Sequence, residues 1–161
     1  MQRLWIGLAV RDALLREAAR MAPMETGGVL MGYRGEGGDV VVTAVIGPGP
    51  TAMHARARFL PDHAFQEREI ARVYQESGRM HTYLGDWHSH PDGPCTLSSR
   101  DRVTLRRIGR ERDARVPEPV MVLACGRAAA WDVVAHRLSR GPLWRRIERV
   151  PIDVFSGIDT E

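Results

Sequence analysis

The feature that most constrains the fold of this chain is a pair of histidines followed closely by a serine and an aspartate. One residue separates His88 from His90, seven residues separate His90 from Ser98, and two residues separate Ser98 from Asp101. Alternate residues of a strand face the same side, so two imidazoles at a strand end can converge on one ion. Asp101 reaches them only if the chain doubles back through Pro91–Leu97. The spacing therefore predicts a strand, a tight loop and a helix that meet at a metal site.

The donor types in this pattern indicate zinc. A catalytic zinc ion is held by three protein ligands and keeps a fourth position for water. His88, His90 and Asp101 supply two imidazole nitrogens and one carboxylate, which is a donor set typical of Zn²⁺. A His-x-His pair also occurs at strand ends without any metal, so the serine and aspartate that follow carry the argument. The predicted cofactor is one zinc ion per chain.

The segment from Ser98 to Asp101 has a structural interpretation as well. Its pattern is close to a capping box, in which Ser98 is the N-cap of a helix and Asp101 lies near the third position. The two interpretations are compatible, because the first turn of a helix would hold a ligand rigidly.

Hydrolysis at a metal site also requires a group that accepts and returns a proton. Glu25 is the candidate for this general base, and it stands just before Thr26, Gly27 and Gly28. An isolated glutamate in a loop is usually solvated. The two glycines favour a role in the site, because they let another backbone segment approach closely.

Together these five residues match the JAMM motif in every position, and the chain resembles the JAB/MPN metallopeptidases. The resemblance implies zinc at His88, His90 and Asp101, Glu25 as general acid/base, and a Ser98 hydroxyl that stabilises the tetrahedral oxyanion. Other segments are similar to the short, stand-alone bacterial members of the family, namely Glu25–Gly32, Gly47–Pro50, Phe59–Asp62 and Tyr83–His88.

Those bacterial members include deubiquitinase-like isopeptidases encoded in antiphage operons such as the CBASS systems. The resemblance implies a zinc-dependent isopeptidase or peptidase that cleaves after the C-terminus of a ubiquitin-like or similarly conjugated protein. The expected partner is a protein substrate with an extended C-terminal tail, either a ubiquitin-like protein or a conjugated enzyme.

Two other functions stay open, a non-catalytic zinc-bearing MPN binding module and a DNA-associated JAB protein. The complete set of site residues argues against the first. The arginines between residues 100 and 115 are the only support for the second, and they also suit a solvated face or an acidic patch on a partner. Zinc nucleoside deaminases need Pro-Cys-x-x-Cys, whereas Cys95 is followed by Thr96, Leu97 and Ser98.

The predicted fold is a single α/β domain over residues 1–152, with a mixed β-sheet flanked by helices in the cytidine-deaminase-like layout of JAB proteins and a C-terminal tail at 153–161. Expected strands are Arg3–Leu8, Thr26–Tyr33, Asp39–Ile46, Arg56–Leu60, Tyr83–Trp87, Pro119–Ala124, Ala128–His136 and Leu143–Val150. Expected helices are Arg11–Ala22, Asp62–Ser77 and Ser99–Asp113, and the segment from Gly47 to Ala55 is expected to be a loop.

The composition limits the partners and the cellular compartment that the sequence predicts. A net charge of +3 is too small for a nucleic-acid signature, and no apolar run is long enough for a membrane span. Cys95 and Cys125 are too few for a disulfide framework, so we expect a free thiol at Cys95, a core residue at Cys125 and a cytoplasmic protein. His54, His63, His81 and His136 lack ligand spacing and are assigned no role.

Overall fold

The computed structural model describes residues 2–157 of the chain. The strands are β1 Leu4–Gly7, β2 Gly27–Arg34, β3 Val40–Ile46, β4 Met53–Ala55, β5 Arg58–Leu60, β6 Thr82–Pro91, β7 Val120–Arg127, β8 Ala130–Arg140, β9 Arg145–Val150 and β10 Ile152–Phe155. The α-helices are α1 Leu8–Met21, α2 His63–Glu76 and α3 Ser99–Arg110. None of these helices has the length and hydrophobicity needed to cross a bilayer.

Eight of the strands form one mixed sheet in the order β10-β1-β3-β2-β6-β7-β8-β9. β1 runs parallel to β3 and β10, and β6 runs parallel to β7. The remaining neighbours are antiparallel, and β4 and β5 form a separate hairpin. The predicted fold class, a mixed sheet flanked by helices, is confirmed.

The helices cover the two faces of the sheet unequally. Leu14 and Ala18 of α1 pack against one face, in a cluster that includes Leu30 and Trp87. The opposite face is covered by α2 over β2 and β3 and by α3 over β7 and β8. β2 is buried along most of its length because both of its faces are covered. The end of β6 lies between α2 and α3, and this gap forms the cleft described below.

Local sequence signals set the starts of α2 and α3. The Asp62 carboxylate accepts a hydrogen bond from the Phe65 backbone N–H at 3.0 Å, so Asp62 is the N-cap of α2 as predicted. Ser98 is the N-cap of α3 within a complete capping box. The predicted helix over Ser99–Asp113 is correct at its start and ends earlier, at Arg110.

Several predicted boundaries differ from the structure. α1 begins at Leu8 rather than Arg11, because the apolar run after β1 turns directly into the helix and Val10 packs on the core. β4 occupies residues that were predicted as loop, because it pairs with β5.

A further difference concerns the predicted tail. Asp153–Phe155 belong to β10 and pair with β1 in parallel, so the ordered sheet extends beyond the predicted boundary at 152. Four residues after a proline gave too short a pattern to indicate a strand. Positions 158–161 of that tail lie outside the described residues.

Candidate metal centre

His88, His90 and Asp101 converge on one point at the end of β6. The two Nε2 atoms lie 3.0 Å apart, and the Asp101 carboxylate oxygens lie 3.0 Å from His88 Nε2 and 3.4 Å from His90 Nε2. Ligand bonds of about 2.0–2.2 Å in a tetrahedral site place donor atoms about 3.3–3.6 Å apart. This donor triangle therefore fits a single metal ion after only small adjustments.

The alternation of β6 explains why both imidazoles point the same way. His88 and His90 face the side covered by α2 and α3, whereas Ser89 between them is fully buried on the other side. The Ser89 hydroxyl accepts a hydrogen bond from the Thr26 N–H at 2.9 Å. The same residue therefore fixes β6 to the segment that carries Glu25.

The capping box fixes Asp101 on the first turn of α3. The Ser98 Oγ accepts from the Asp101 N–H at 3.2 Å, and the Asp101 carboxylate accepts from the Ser98 N–H at 2.7 Å. Burial alone would raise the pKa of Asp101, but hydrogen bonds from His88 and His90 hold that pKa well below its usual range. Asp101 therefore stays anionic at neutral pH, as a metal ligand must.

The loop after β6 orients His90. The His90 Nδ1 lies 3.0 Å from the Pro94 carbonyl oxygen, which can only accept a hydrogen bond. The proton on Nδ1 leaves the Nε2 lone pair free to face the other donors. The hydrogen bond with Asp101 raises the pKa of His90 above its ordinary value.

A disulfide between Cys95 and Cys125 fixes the same loop, with the two Cα atoms 5.4 Å apart. The prediction of a free thiol at Cys95 was wrong, because the loop folds back over β7, where Cys125 pairs in register with His90. Cys125 is buried in the core, as predicted. The cysteine argument for a reducing compartment no longer applies.

Glu25 lines the same cleft as His88 and Asp101. Its backbone N–H donates to the Ala55 carbonyl at 2.8 Å, which attaches this segment to β4. Burial raises the pKa of Glu25, although the nearby charges of His88 and His90 partly oppose this rise. A carboxyl group with a raised pKa beside a metal site suits proton transfer.

The two glycines after Glu25 have the predicted role of allowing close approach. A side chain at Gly28 would collide with the Ile46 carbonyl and the Trp87 indole ring. A side chain at Gly27 would collide with the Trp87 backbone and the His88 side chain. Any larger residue would force β2 away from β3 or β6 and disturb the backbone that follows Glu25.

His54 contributes to the site although its spacing gave no indication of this. Its Nδ1 lies 2.9 Å from the Glu25 carbonyl oxygen, and its ring packs on Phe59 of β5 with centroids 5.4 Å apart. The Arg100 guanidinium donates to the Ala57 carbonyl at 3.2 Å. The β4–β5 hairpin thus connects the Glu25 segment to α3, a contact that no local pattern signals.

The cleft beside the donor triangle has a volume of about 600 Å³. Asp86 lies in its lining, on the same face of β6 as His88, and accepts a hydrogen bond from the Tyr83 hydroxyl at 2.7 Å. Burial raises the pKa of Asp86, partly opposed by that hydrogen bond. His63 also lines the cleft, whereas His81 packs against Tyr33 at the far end of β2. The cleft can hold an extended segment of chain next to the three donors.

Comparison with known proteins agrees with this arrangement. Residues 8–137 match the family described as prokaryotic homologs of the JAB domain. The chain belongs to this JAB family. A probable metalloprotease of Sinorhizobium fredii is 43% identical over 149 residues, which cover 90% of this chain and 91% of that protein.

More distant relatives carry a second name. A CD-NTase/cGAS isopeptidase of Vibrio cholerae is 29% identical over 72% of this JAB chain and 70% of its own length. An isopeptidase of the same name from Enterobacter hormaechei is 27% identical over 88% of this chain and 78% of its own. The solution structure of a Desulfitobacterium hafniense protein shares the fold, with a TM-score of 0.71 and 18% identity over 97% of this chain and 95% of that one. The JAB resemblance seen in the sequence is confirmed.

Proposed function

We propose that this JAB-family protein is a zinc-dependent isopeptidase or peptidase that cleaves after the C-terminus of a ubiquitin-like or similarly conjugated protein. The observation that carries the proposal is the donor triangle of His88, His90 and Asp101, with edges of 3.0–3.4 Å, in a cleft that also contains Glu25. The relatives named metalloprotease and isopeptidase support hydrolysis of an amide bond.

Zinc is the proposed metal because two imidazoles and one carboxylate form its usual catalytic ligand set. When bound, zinc polarises the scissile carbonyl and lowers the pKa of a water molecule to roughly 7. One ion per chain is expected, since His88, His90 and Asp101 are the only group of metal donors found within residues 2–157.

Glu25 is the proposed general acid/base. Its carboxylate takes a proton from the attacking water and returns it to the nitrogen of the leaving amine. The raised pKa of Glu25 assists the second of these steps, because the carboxyl group holds the proton more strongly than an exposed glutamate would.

Ser98 is the proposed donor to the oxyanion of the tetrahedral intermediate. Its Oγ already accepts the helix-capping hydrogen bond from the Asp101 N–H. The hydroxyl proton is not used in that bond, so it stays free to donate to a developing negative charge.

The proposed substrate is a conjugated protein whose extended C-terminal tail lies in the cleft. Support comes from the CD-NTase/cGAS isopeptidases among the relatives. A role in antiphage defence is part of the same proposal and rests on the resemblance of the sequence to antiphage-operon isopeptidases, whereas the cytoplasmic location stays a prediction.

The test is cleavage of a fusion between the candidate modifier and a reporter, with zinc content measured on each protein. Glu25→Gln should retain zinc and lose activity by about 10²–10⁴-fold. Glu36→Gln is the matched control, because Glu36 is exposed in the turn after β2. Equal cleavage by wild type and Glu25→Gln would remove Glu25 from the mechanism. A zinc-loaded wild type that cleaves neither peptide nor isopeptide fusions would indicate a binding module instead.

A further inference from the structure

We infer that the cleft selects tails that carry acidic side chains, because exposed arginines that form no salt bridge stand on both of its walls. This inference rests on the proposed peptidase function and specifies its substrate class. The ligand is an extended peptide segment with glutamate or aspartate residues close to the scissile bond.

The arginines reach the cleft from two separate elements. Arg58 comes from β5, whereas Arg100 and Arg107 come from α3, and all three line the cleft and are exposed. Arg100 and Arg107 are seven positions apart, which is about two helical turns, so they share one face of α3. A segment lying between β5 and α3 therefore meets a positive charge on each side.

These three arginines form no salt bridge, unlike Arg20 of α1 and Arg72 of α2. Arg20 on α1 pairs with Glu17 at 2.9 Å, and Arg72 on α2 pairs with Glu69 at 2.7 Å. Within residues 2–157, no salt bridge involves Arg58, Arg100 or Arg107. The Ala57 carbonyl that Arg100 contacts is neutral. The positive charge at the cleft is thus left for a ligand.

The carboxylates that line the cleft offset this charge only in part, since Arg100 acts on Glu25 and Arg107 acts on Asp86 through space without a salt bridge. Asp101 lies against the two histidines, and Glu25 faces the same metal centre in the proposed mechanism. The Asp86 carboxylate accepts a hydrogen bond from the Tyr83 hydroxyl, and none of the three guanidinium groups forms a salt bridge with it. The rim around the metal centre is positive, and guanidinium groups bind carboxylates in a directional, two-pronged geometry.

A peptide fits this cleft better than a nucleic acid. Its walls include Phe59, Leu60 and Val103, and Val103 is 66% exposed on α3. The Trp87 ring is buried in the core and cannot stack on a base. Apolar walls between arginines suit a tail in which acidic and apolar side chains alternate.

The first experiment measures binding directly, by fluorescence anisotropy with labelled peptides on metal-free and zinc-loaded protein. Three peptides of equal length differ only in carrying Glu, Gln or Lys at the same positions. The Glu peptide should bind about tenfold more tightly than the Gln peptide at about 0.05 M salt, and the difference should shrink at about 0.5 M. Equal affinities for the Glu and Gln peptides, or no binding of any peptide, would overturn the inference.

The second experiment assigns the preference to residues. Arg58→Gln and Arg107→Gln should each lower the affinity for the Glu peptide by about three- to fivefold and leave the affinity for the Gln peptide unchanged. Arg16→Gln is the matched control, since Arg16 is exposed on α1, which covers the opposite face of the sheet. The double variant Arg58→Glu with Arg107→Glu should prefer the Lys peptide. Thermal unfolding of each variant shows whether the fold is retained.

A third measurement separates this inference from the peptidase proposal. The same three sequences serve as tails of a cleavable reporter, and a single-stranded oligonucleotide serves as a competing polyanion. Cleavage of acidic and neutral tails at equal rates would overturn the inference and still support the proposed peptidase function. Tight binding of the Glu peptide without any cleavage would overturn the peptidase proposal and leave the arginine site for acidic peptides standing. An oligonucleotide that binds more tightly than the Glu peptide would overturn the inference and indicate that the arginines bind nucleic acid.

Discussion

His54 illustrates how a residue without metal-ligand spacing can still determine the geometry of the site. Its single hydrogen bond to the Glu25 carbonyl, together with the contact between its ring and Phe59, sets the backbone from which the Glu25 side chain projects. The metal donors lie on other elements, so a loss of this bond affects the proposed base and leaves metal binding intact.

Substitution of His54 should therefore lower kcat more than it changes KM or zinc content. A net hydrogen bond of about 0.5–1.5 kcal/mol corresponds to roughly a two- to twelvefold loss for His54→Ala. His54→Asn should restore most of the rate, because the asparagine amide can donate from nearly the position of Nδ1. Steady-state kinetics with metal analysis provides the check, and equal rates for the alanine and asparagine variants would contradict a positioning role.

At the level of single residues, the sequence predicted which side chains come together only where the signal is local. His88, His90, Ser98 and Asp101 lie within one short segment, and strand alternation with helix capping determines how they meet. His54 and the Cys95–Cys125 bond depend on how distant segments pack together. Spacing along the chain contains no information about such contacts.

The capping box of α3 combines support of the helix with the proposed chemistry of Ser98, and substitutions can separate the two. Ser98→Ala should lower the free energy of unfolding by about 1 kcal/mol through loss of the cap. It should also lower kcat by about 10²–10³-fold through loss of the oxyanion donor. Ser98→Asp should recover the stability, since aspartate is a good N-cap, but its carboxylate cannot donate to the oxyanion. Urea denaturation and cleavage assays on both variants test this, and full activity in Ser98→Ala would exclude the hydroxyl from catalysis.

Among the elements, those with strong periodicity or clear caps were predicted well. α2 and α3 start where Asp62 and Ser98 indicate. β4 and β10 were missed because each has only three or four residues and is stabilised by its partner strand rather than by its own pattern. Short strands of this kind become visible only when the sheet is assembled.

Over the whole molecule, the donor triangle joins β6 to α3, so metal binding should stabilise the native state. A ligand that binds only the folded protein at about 100 times its Kd adds about 2.7 kcal/mol. For a chain of this size, that corresponds to a rise in Tm of about 5–10 °C. Differential scanning calorimetry with zinc and with a chelator measures the difference, and Asp101→Asn should remove most of it. An unchanged Tm on adding zinc to the wild type would argue against a metal centre.

The mixed α/β class was predictable from the alternation of strand and helix patterns, but the strand order was not. β1 lies between β3 and β10, so segments from opposite ends of the chain are neighbours in the sheet. Their pairing depends on contacts between segments that are far apart in the sequence. That information belongs to the assembled sheet rather than to any one segment.

The Cys95–Cys125 bond also has a topological consequence, since it turns residues 95–125 into a closed ring of covalent structure. The exposed residues 111–113 lie within this ring, between α3 and β7. A single break in the backbone there would divide the chain into a piece with all three metal donors and a piece with β7, β8, β9 and β10. The ring would be opened by this break, and the Cys95–Cys125 disulfide beside His90 would still join the two pieces covalently.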